Sequence, residues 1–285
     1  MNFQKVGVVG SGIMGSGIAE VVAATGATVV VRSRTRASAD AMLADLTKSL
    51  ARQVDKGKRS AAEAEELRAR VTATTSLADL ADSNLVIESV VEDLAVKKAL
   101  FSELDRVVHP GALLVTNTST LSVIELAMAT SRPDQVCGVH FFNPAPVMGV
   151  VEIVRPLCAS DATIDAVTAF VAACAKEPVL VKDVAGFVVN ALLFPYLNNA
   201  VRLWERGVAT MEDIDTAMKG GCGFPMGPFA LLDLVGLDTS LAILDALYNE
   251  FADPHVAAMP VLRRMVSAGQ LGRKSGRGFY DYRQK

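Results

Sequence analysis

The chain opens on a short, unbroken apolar run, Lys5–Val9, of the kind that buried parallel strands leave in a sequence. A glycine-rich stretch at 10–15 follows, then small and apolar residues at helical spacing over 16–25, ended by Gly26. A second apolar run at 28–31 closes a strand–helix–strand unit within about 30 residues, the span such units need. Residues 37–70 carry Ala, Leu, Arg and Glu at helical spacing, interrupted at 56–60, which predicts two antiparallel helices projecting from the sheet. Further apolar runs lie at Val71–Thr74, Leu85–Glu88 and Leu113–Thr116, with a helical stretch at 96–107. Two more, Val136–Phe141 and 150–154, lie close together; a helix at 162–175 then precedes a last run at 179–181. Strand and helix patterns in alternation predict a doubly wound α/β sheet.

After Asp183 the pattern changes. Strand-like runs stop, and helical spacing takes over at 187–206, 211–219, 228–251 and 260–268. Thr210 is placed to cap the second of these helices, with Asp213 three positions on, and Pro228 suits a first helical position. The predicted organisation is therefore a sheet domain over 1–184 and an all-α domain over 185–285, with the helical projection at about 37–70 in the first. The apolar content of the second domain, including Phe194, Tyr196 and Trp204, predicts core or interface stripes.

Composition narrows the function classes. With 51% apolar and 21% charged residues in 285, there is material for well-filled cores and no signature of disorder. A net charge of −3 and a pI near 5.7 favour neither nucleic acid nor an anionic membrane surface. Cys137, Cys158, Cys174 and Cys222 form no C-x-x-C pair, so they read as reduced core thiols in a cytoplasmic protein, with no metal site. The first strand begins too early to leave room for a leader, and the apolar stretch at 186–201 holds too many polar residues for a membrane span.

The glycine-rich stretch is Gly10-Ser11-Gly12-Ile13-Met14-Gly15, a G-x-G-x-x-G between a strand and a helix. Gly10 permits the tight turn, Gly12 lets a pyrophosphate approach the backbone, and Gly15 lets helix and strand pack closely. The helix N-terminus then turns N–H groups and a positive dipole end to the phosphates. This makes the first domain Rossmann-like and nominates the turn, Ile13 and Met14 included, as a dinucleotide site. At the end of the second strand an NAD site places a carboxylate for the ribose 2′-hydroxyl. Here the chain reads Arg32-Ser33-Arg34-Thr35-Arg36. A guanidinium pairs well with a 2′-phosphate, and a missing carboxylate removes the repulsion against it, so the segment predicts NADP over NAD.

Oxidising an alcohol requires a base for the hydroxyl proton, and histidine suits that task near neutral pH. Of His109, His140 and His255, only His140 stands at the carboxyl end of an apolar strand, where ligands of open α/β sheets bind. Glu152, on the next strand, can lie beside it, fix its tautomer and stabilise the imidazolium. A glutamate buried in so apolar a strand needs a partner in any case. Ser119, read from spacing alone, caps a helix beginning at Ser122.

These residues stand in longer motifs. They include GSGIMGSGIAE from Gly10, NTSTL from Asn117, HFFNPAPVM from His140, GFVVN from Gly186, PMGP from Pro225 and GRKSGRGFY from Gly272. In this order, over essentially the whole chain, they resemble the L-3-hydroxyacyl-CoA dehydrogenases, especially the monofunctional bacterial 3-hydroxybutyryl-CoA type. The resemblance implies an oxidoreductase of fatty acid metabolism that interconverts (S)-3-hydroxyacyl-CoA and 3-oxoacyl-CoA with NAD or NADP. It implies that His140 is the base and Glu152 its orienting partner, and that Ser119 and Asn190 contact the substrate. It implies cofactor contacts from Glu92, Lys97, Asn117, Asn143 and Lys274, coenzyme A contacts from Ser49 and Lys56, and a homodimer through the helical domain. The chain departs from the family's pattern at Ser33, where an acid is common, and at Ala191, where many relatives carry Arg. Two other readings stay open here: a hydroxy-acid or sugar-acid dehydrogenase that does not use coenzyme A, and a cofactor-binding protein without turnover.

Overall fold

The computed structural model describes residues 3–283 and separates into two compact units, one up to Asp183 and one from Val184 on. In the first, eight strands form one sheet: β1 (Lys5–Val9), β2 (Thr28–Arg32), β3 (Val71–Thr74), β4 (Leu85–Glu88), β5 (Leu113–Thr116), β6 (Val136–Phe141), β7 (Val150–Arg155) and β8 (Glu177–Lys182). Their order is β3-β2-β1-β4-β5-β6-β7-β8. Pairing is parallel from β3 through to β6, antiparallel between β6 and β7, and parallel again between β7 and β8. The chain runs outward from β1 to β3 and then resumes on β1's other side with β4. The carboxyl ends of β1 and β4 thus form a topological switch point, the place where such sheets bind ligands.

Helices α1 (Ile13–Ala23), α2 (Arg36–Asp55), α3 (Ala61–Ala69), α4 (Leu94–Val107), α5 (Val123–Ala127) and α6 (Asp161–Ala173) cover the sheet. The predicted projection at 37–70 is a helix pair, yet it does not stand clear of the domain. Met42, Leu46 and Leu50 recur every fourth residue along α2, and with Leu67 of α3 they are buried in the same core as Val6, Val8, Val29 and Val31. One apolar stripe is enough to lay a 20-residue helix down along its length. Helix α1 starts at Ile13 rather than at 16, because Gly12 serves as its N-cap and Gly15 falls inside it. Low intrinsic helix propensity of glycine hid that first turn from the pattern. Helix α5 has no side-chain cap from Ser122 or Ser119; the carboxylate of Asp183 accepts from the amides of Val123 and Ile124 at 2.9 and 2.7 Å.

The second unit holds α7 (Val189–Glu205), α8 (Met211–Cys222), α9 (Pro228–Val235), α10 (Leu237–Phe251) and α11 (Pro260–Ser267). The single helix expected over 228–251 is two. Gly236 adopts φ +104°, a conformation closed to other residues without strain, and the axis breaks there. Thr210 caps α8 as expected, accepting from the Asp213 amide at 3.1 Å, and Pro228 occupies the first turn of α9. Trp204, Phe229 and Phe279 pack edge-to-face at centroid distances of 4.9–6.1 Å in this unit's core. The thiol assignment needs one correction: Cys137 and Cys174 are buried and Cys158 is half-buried, but Cys222 is exposed at the end of α8.

Candidate active site

Antiparallel register places His140 of β6 directly opposite Glu152 of β7. Both are buried, at 4% and 1% exposure, and the imidazole Nδ1 lies 2.7 Å from the Glu152 carboxylate. A carboxylate only accepts, so Nδ1 donates to Glu152, and Nε2 on the other side of the ring is the nitrogen left to exchange a proton. There Nε2 meets the Ser119 hydroxyl at 3.1 Å. The result is a chain of carboxylate, imidazole and hydroxyl: a base held in one tautomer, with a donor beside the atom that takes a proton. The ring is flanked by Phe142, centroids 4.6 Å apart.

Ser119 follows β5 on a turn fastened from below. One oxygen of Glu92 accepts from the Thr118 hydroxyl at 2.5 Å, the Ser119 amide at 2.8 Å and the Thr120 amide at 3.3 Å. Its other oxygen lies 3.2 Å from the Lys97 ammonium. Lys97 itself is fully buried and bonded to both oxygens of Glu88 at 2.8 and 2.9 Å. Burial alone would raise the Glu92 carboxyl, but the Lys97 charge and these hydrogen bonds outweigh it and hold it below the usual carboxylate range. Asn117 spans two strand ends: its side-chain oxygen accepts from the Phe141 amide at 2.8 Å. The Lys97 ammonium thus stands between two carboxylates, those of Glu88 and Glu92. The sequence reading missed Glu88, Thr116 and Thr118 altogether. A glutamate closing the apolar run Leu85–Glu88 was the available signal, since a buried carboxylate demands a cation.

The dinucleotide turn has the shape its glycines predict. A methyl group added to Gly15 would sit 2.0 Å from the Gly10 carbonyl oxygen, and one on Gly10 would sit 2.1 Å from that of Ser89. On Gly12 it would meet no atom within 4 Å. Gly12 is the N-cap of α1, so open space lies over the amides at the positive end of a helix, with Ser11 and Ile13 at its rim and Met14 turned inward to the core. That cradle fits a pyrophosphate. Past the end of β2, Ser33 is buried with its hydroxyl unpartnered, and so is the Nε of the half-buried Arg32. Arg34 is exposed, whereas Arg36 is committed to Asp40 at 3.0 Å.

The remaining predicted residues are spread over both units. Asn143 is exposed just after β6. Ser49 donates to the buried Glu20 at 2.8 Å, and Lys56 is exposed as the C-cap of α2, seven residues on and so on the same helical face. In the second unit, Asn190 is buried at the start of α7, and Lys274 pairs with Asp238 at 2.6 Å. Among the described residues no group of His, Cys, Asp and Glu could hold a metal ion, and no helix is long and apolar enough to cross a membrane.

Residues 5–184 match the family model of the NAD binding domain of 3-hydroxyacyl-CoA dehydrogenase, and residues 186–282 match that of its C-terminal domain. The chain belongs to the 3-hydroxyacyl-CoA dehydrogenase family. It is an oxidoreductase that interconverts 3-hydroxyacyl-CoA and 3-oxoacyl-CoA with a nicotinamide dinucleotide. It is 50% identical to a 3-hydroxybutyryl-CoA dehydrogenase of Mycobacterium tuberculosis over 98% of each chain. It is 47% identical to one of Clostridioides difficile, over 98% of this chain and 99% of that one. Among solved structures it superposes on M. tuberculosis FadB2 with a TM-score of 0.97 at 49% identity, covering 99% of this chain and 100% of that one. The (S)-3-hydroxybutyryl-CoA dehydrogenase PaaH1 of Ralstonia eutropha gives 0.96 at 42% identity, with the same coverage.

Proposed function

We propose that this enzyme interconverts (S)-3-hydroxybutyryl-CoA and acetoacetyl-CoA, with His140 as acid–base and NADP as the preferred dinucleotide. The observation that carries the reading is the buried Glu152–His140–Ser119 chain, with 2.7 and 3.1 Å links. In oxidation, His140 Nε2 takes the hydroxyl proton as the carbon loses hydride, and the paired carboxylate of Glu152 offsets the charge that the ring gains. In reduction the same nitrogen returns the proton to the carbonyl oxygen. Ser119 holds that oxygen by a hydrogen bond, and Asn190 is a substrate contact implied by the family's pattern. The bound nicotinamide accepts or delivers the hydride. Gly10, Ser11, Gly12 and Gly15 would receive its pyrophosphate, with Ile13 and Met14 flanking it. Glu92, Lys97, Asn117, Asn143 and Lys274 are further contacts implied by the family's pattern, as are Ser49 and Lys56 for coenzyme A.

The cofactor preference is supported by the absence of a carboxylate after β2 and by the exposed Arg34. A guanidinium pairs with a 2′-phosphate, and no carboxylate stands at this strand end to repel it. The helical unit is proposed as a homodimer interface, and the unpaired thiols suit a cytoplasmic enzyme.

Oxidation of NADPH and of NADH by the purified protein tests this, with acetoacetyl-CoA and with free acetoacetate. We expect turnover with the thioester, little with the free acid, and higher kcat/KM with NADPH. Failure to turn over acetoacetyl-CoA with either dinucleotide would overturn the substrate reading. An NADH preference would overturn only the cofactor reading. Light scattering at micromolar concentration checks the dimer.

A further inference from the structure

We infer that Glu92, braced by Lys97 and Glu88, is a positioning residue that sets the Ser119 hydroxyl against His140. This rests on the reading of His140 as acid–base and extends it to the groups beneath the site. Ser119 stands on an irregular turn after β5, and nothing in a turn's own backbone fixes a hydroxyl to a few tenths of an ångström. Here a single carboxylate oxygen collects three donors from the consecutive residues Thr118, Ser119 and Thr120. That arrangement fixes the orientation of the peptide planes on both sides of Ser119, and so the direction of its Cα–Cβ bond.

A carboxylate on a loop would itself swing freely, but this one is tied. Its second oxygen meets Lys97, whose ammonium is buried and locked by both oxygens of Glu88. Glu88 is in turn held by the Val90 amide and the Thr116 hydroxyl, each at 2.6 Å. Glu88 closes β4, Thr116 closes β5, and Lys97 lies in the first turns of α4. The turn is thereby referenced to rigid elements of the sheet through charge-assisted bonds, the strongest kind available. Lys97 has a side-chain exposure of 1%, and its 3.2 Å contact links Glu92 to Glu88. The network carries two carboxylates against one ammonium; Glu92 holds residues 118–120 directly, and Lys97 and Glu88 tie Glu92 to the ends of β4 and β5.

A double-mutant cycle tests the inference. Glu92→Ala in the otherwise unchanged enzyme should lower kcat about 10- to 100-fold, the usual effect of displacing a reacting group by about an ångström. The comparison is made at saturating NADPH, so that a rise in the KM for the dinucleotide, which reports the cofactor contact of Glu92, is read apart from the loss in kcat. In a Ser119→Ala background the same change should cost less than about 3-fold, because the hydroxyl it positions is already gone. Glu92→Gln, which keeps one acceptor for the turn, should retain more activity than Glu92→Ala and serves if the alanine variant does not fold. Losses that multiply in the double mutant would overturn the inference. A readout independent of turnover is the imidazole NMR signal of His140, identified through its loss in His140→Gln. Glu92→Ala and Ser119→Ala should displace it alike. Displacement by Ser119→Ala alone would refute the positioning role. Since this signal needs no substrate, it separates that failure from a failure of the acyl-CoA reading.

Discussion

Glu152 and His140 face each other across the β6–β7 pair as direct register partners, and no loop intervenes in fixing their 2.7 Å contact. A base mounted on two paired strands has little freedom to lose when substrate arrives, which is what a general base needs. His140→Gln should lower kcat by about 10²- to 10⁴-fold, the worth of a positioned acid–base group. Glu152→Gln keeps an acceptor for Nδ1 but removes the charge that stabilises the imidazolium, and should cost about 10²-fold or more. In both variants NADPH binding, followed by fluorescence titration, should stay within about 3-fold. Near-normal kcat in His140→Gln would remove the residue from the mechanism.

The glycines of the nucleotide turn should separate by experiment. Gly12→Ala adds a methyl group where no protein atom lies within 4 Å. Its melting temperature should match that of the parent, while dinucleotide affinity drops because the methyl occupies the cradle. Gly15→Ala forces a 2.0 Å approach to the Gly10 carbonyl and should lower the melting temperature as well. Calorimetry beside a binding titration reads both effects. Equal stability loss in the two variants would contradict the geometry.

Ser33→Asp restores a carboxylate past the end of β2. Repulsion from a 2′-phosphate and a new acceptor for a 2′-hydroxyl act in the same direction. The kcat/KM ratio of NADPH to NADH should fall by about 10²-fold, on the order expected for a charge placed against a phosphate. An unchanged ratio would show that the 2′ group binds elsewhere.

Asp105 and Arg132 form a buried pair at 2.6 Å, with the Ser131 amide also donating to Asp105 at 2.7 Å. Burial alone would raise the Asp105 carboxyl, but the Ser131 and Arg132 bonds outweigh it and leave it below its ordinary value. A carboxylate depressed in the folded state adds stability that is full above its unfolded pKa of about 3.9 and is lost as pH falls through the folded value. Asp105→Ala should therefore cost about 3 kcal/mol at pH 7, leaving a largely buried guanidinium with backbone carbonyls but no countercharge, and progressively less below about pH 4. Urea unfolding across that range measures it. A cost that does not diminish in acid would mean the pair is not the source.

Thiol reactivity should sort by burial. Burial pushes Cys137 up to about 12, and Cys174 likewise, so neither supplies thiolate near neutrality. Cys222 is exposed. Iodoacetamide at pH 8 should label Cys222 first, the half-buried Cys158 slowly, and the other two only after unfolding, as peptide mapping would show. Early labelling of Cys137 would contradict the sheet's packing.

Local pattern determined a large share of this protein. Buried parallel strands, G-x-G-x-x-G and the switch to helical spacing after Asp183 each state a constraint within a few neighbouring residues, so they are legible in one dimension. The pairing of His140 with Glu152 was legible for a related reason: two strands joined by a short link leave few registers to choose from. Other features were decided only by tertiary contacts. Helix α2 lies against the core because its stripe found one, and periodicity alone does not say what a stripe will meet. Gly236 breaks a continuous helical pattern through a backbone angle that spacing does not encode. The burial of Lys97 is another, because the carboxylates paired with it come from Glu88 and Glu92, on a strand end and a turn that only the folded chain brings around it. Asp183, far along the sequence, caps α5 in place of the nearer serines for the same reason: a side chain's partner is set by proximity in space, and sequence distance bounds it only within a single element.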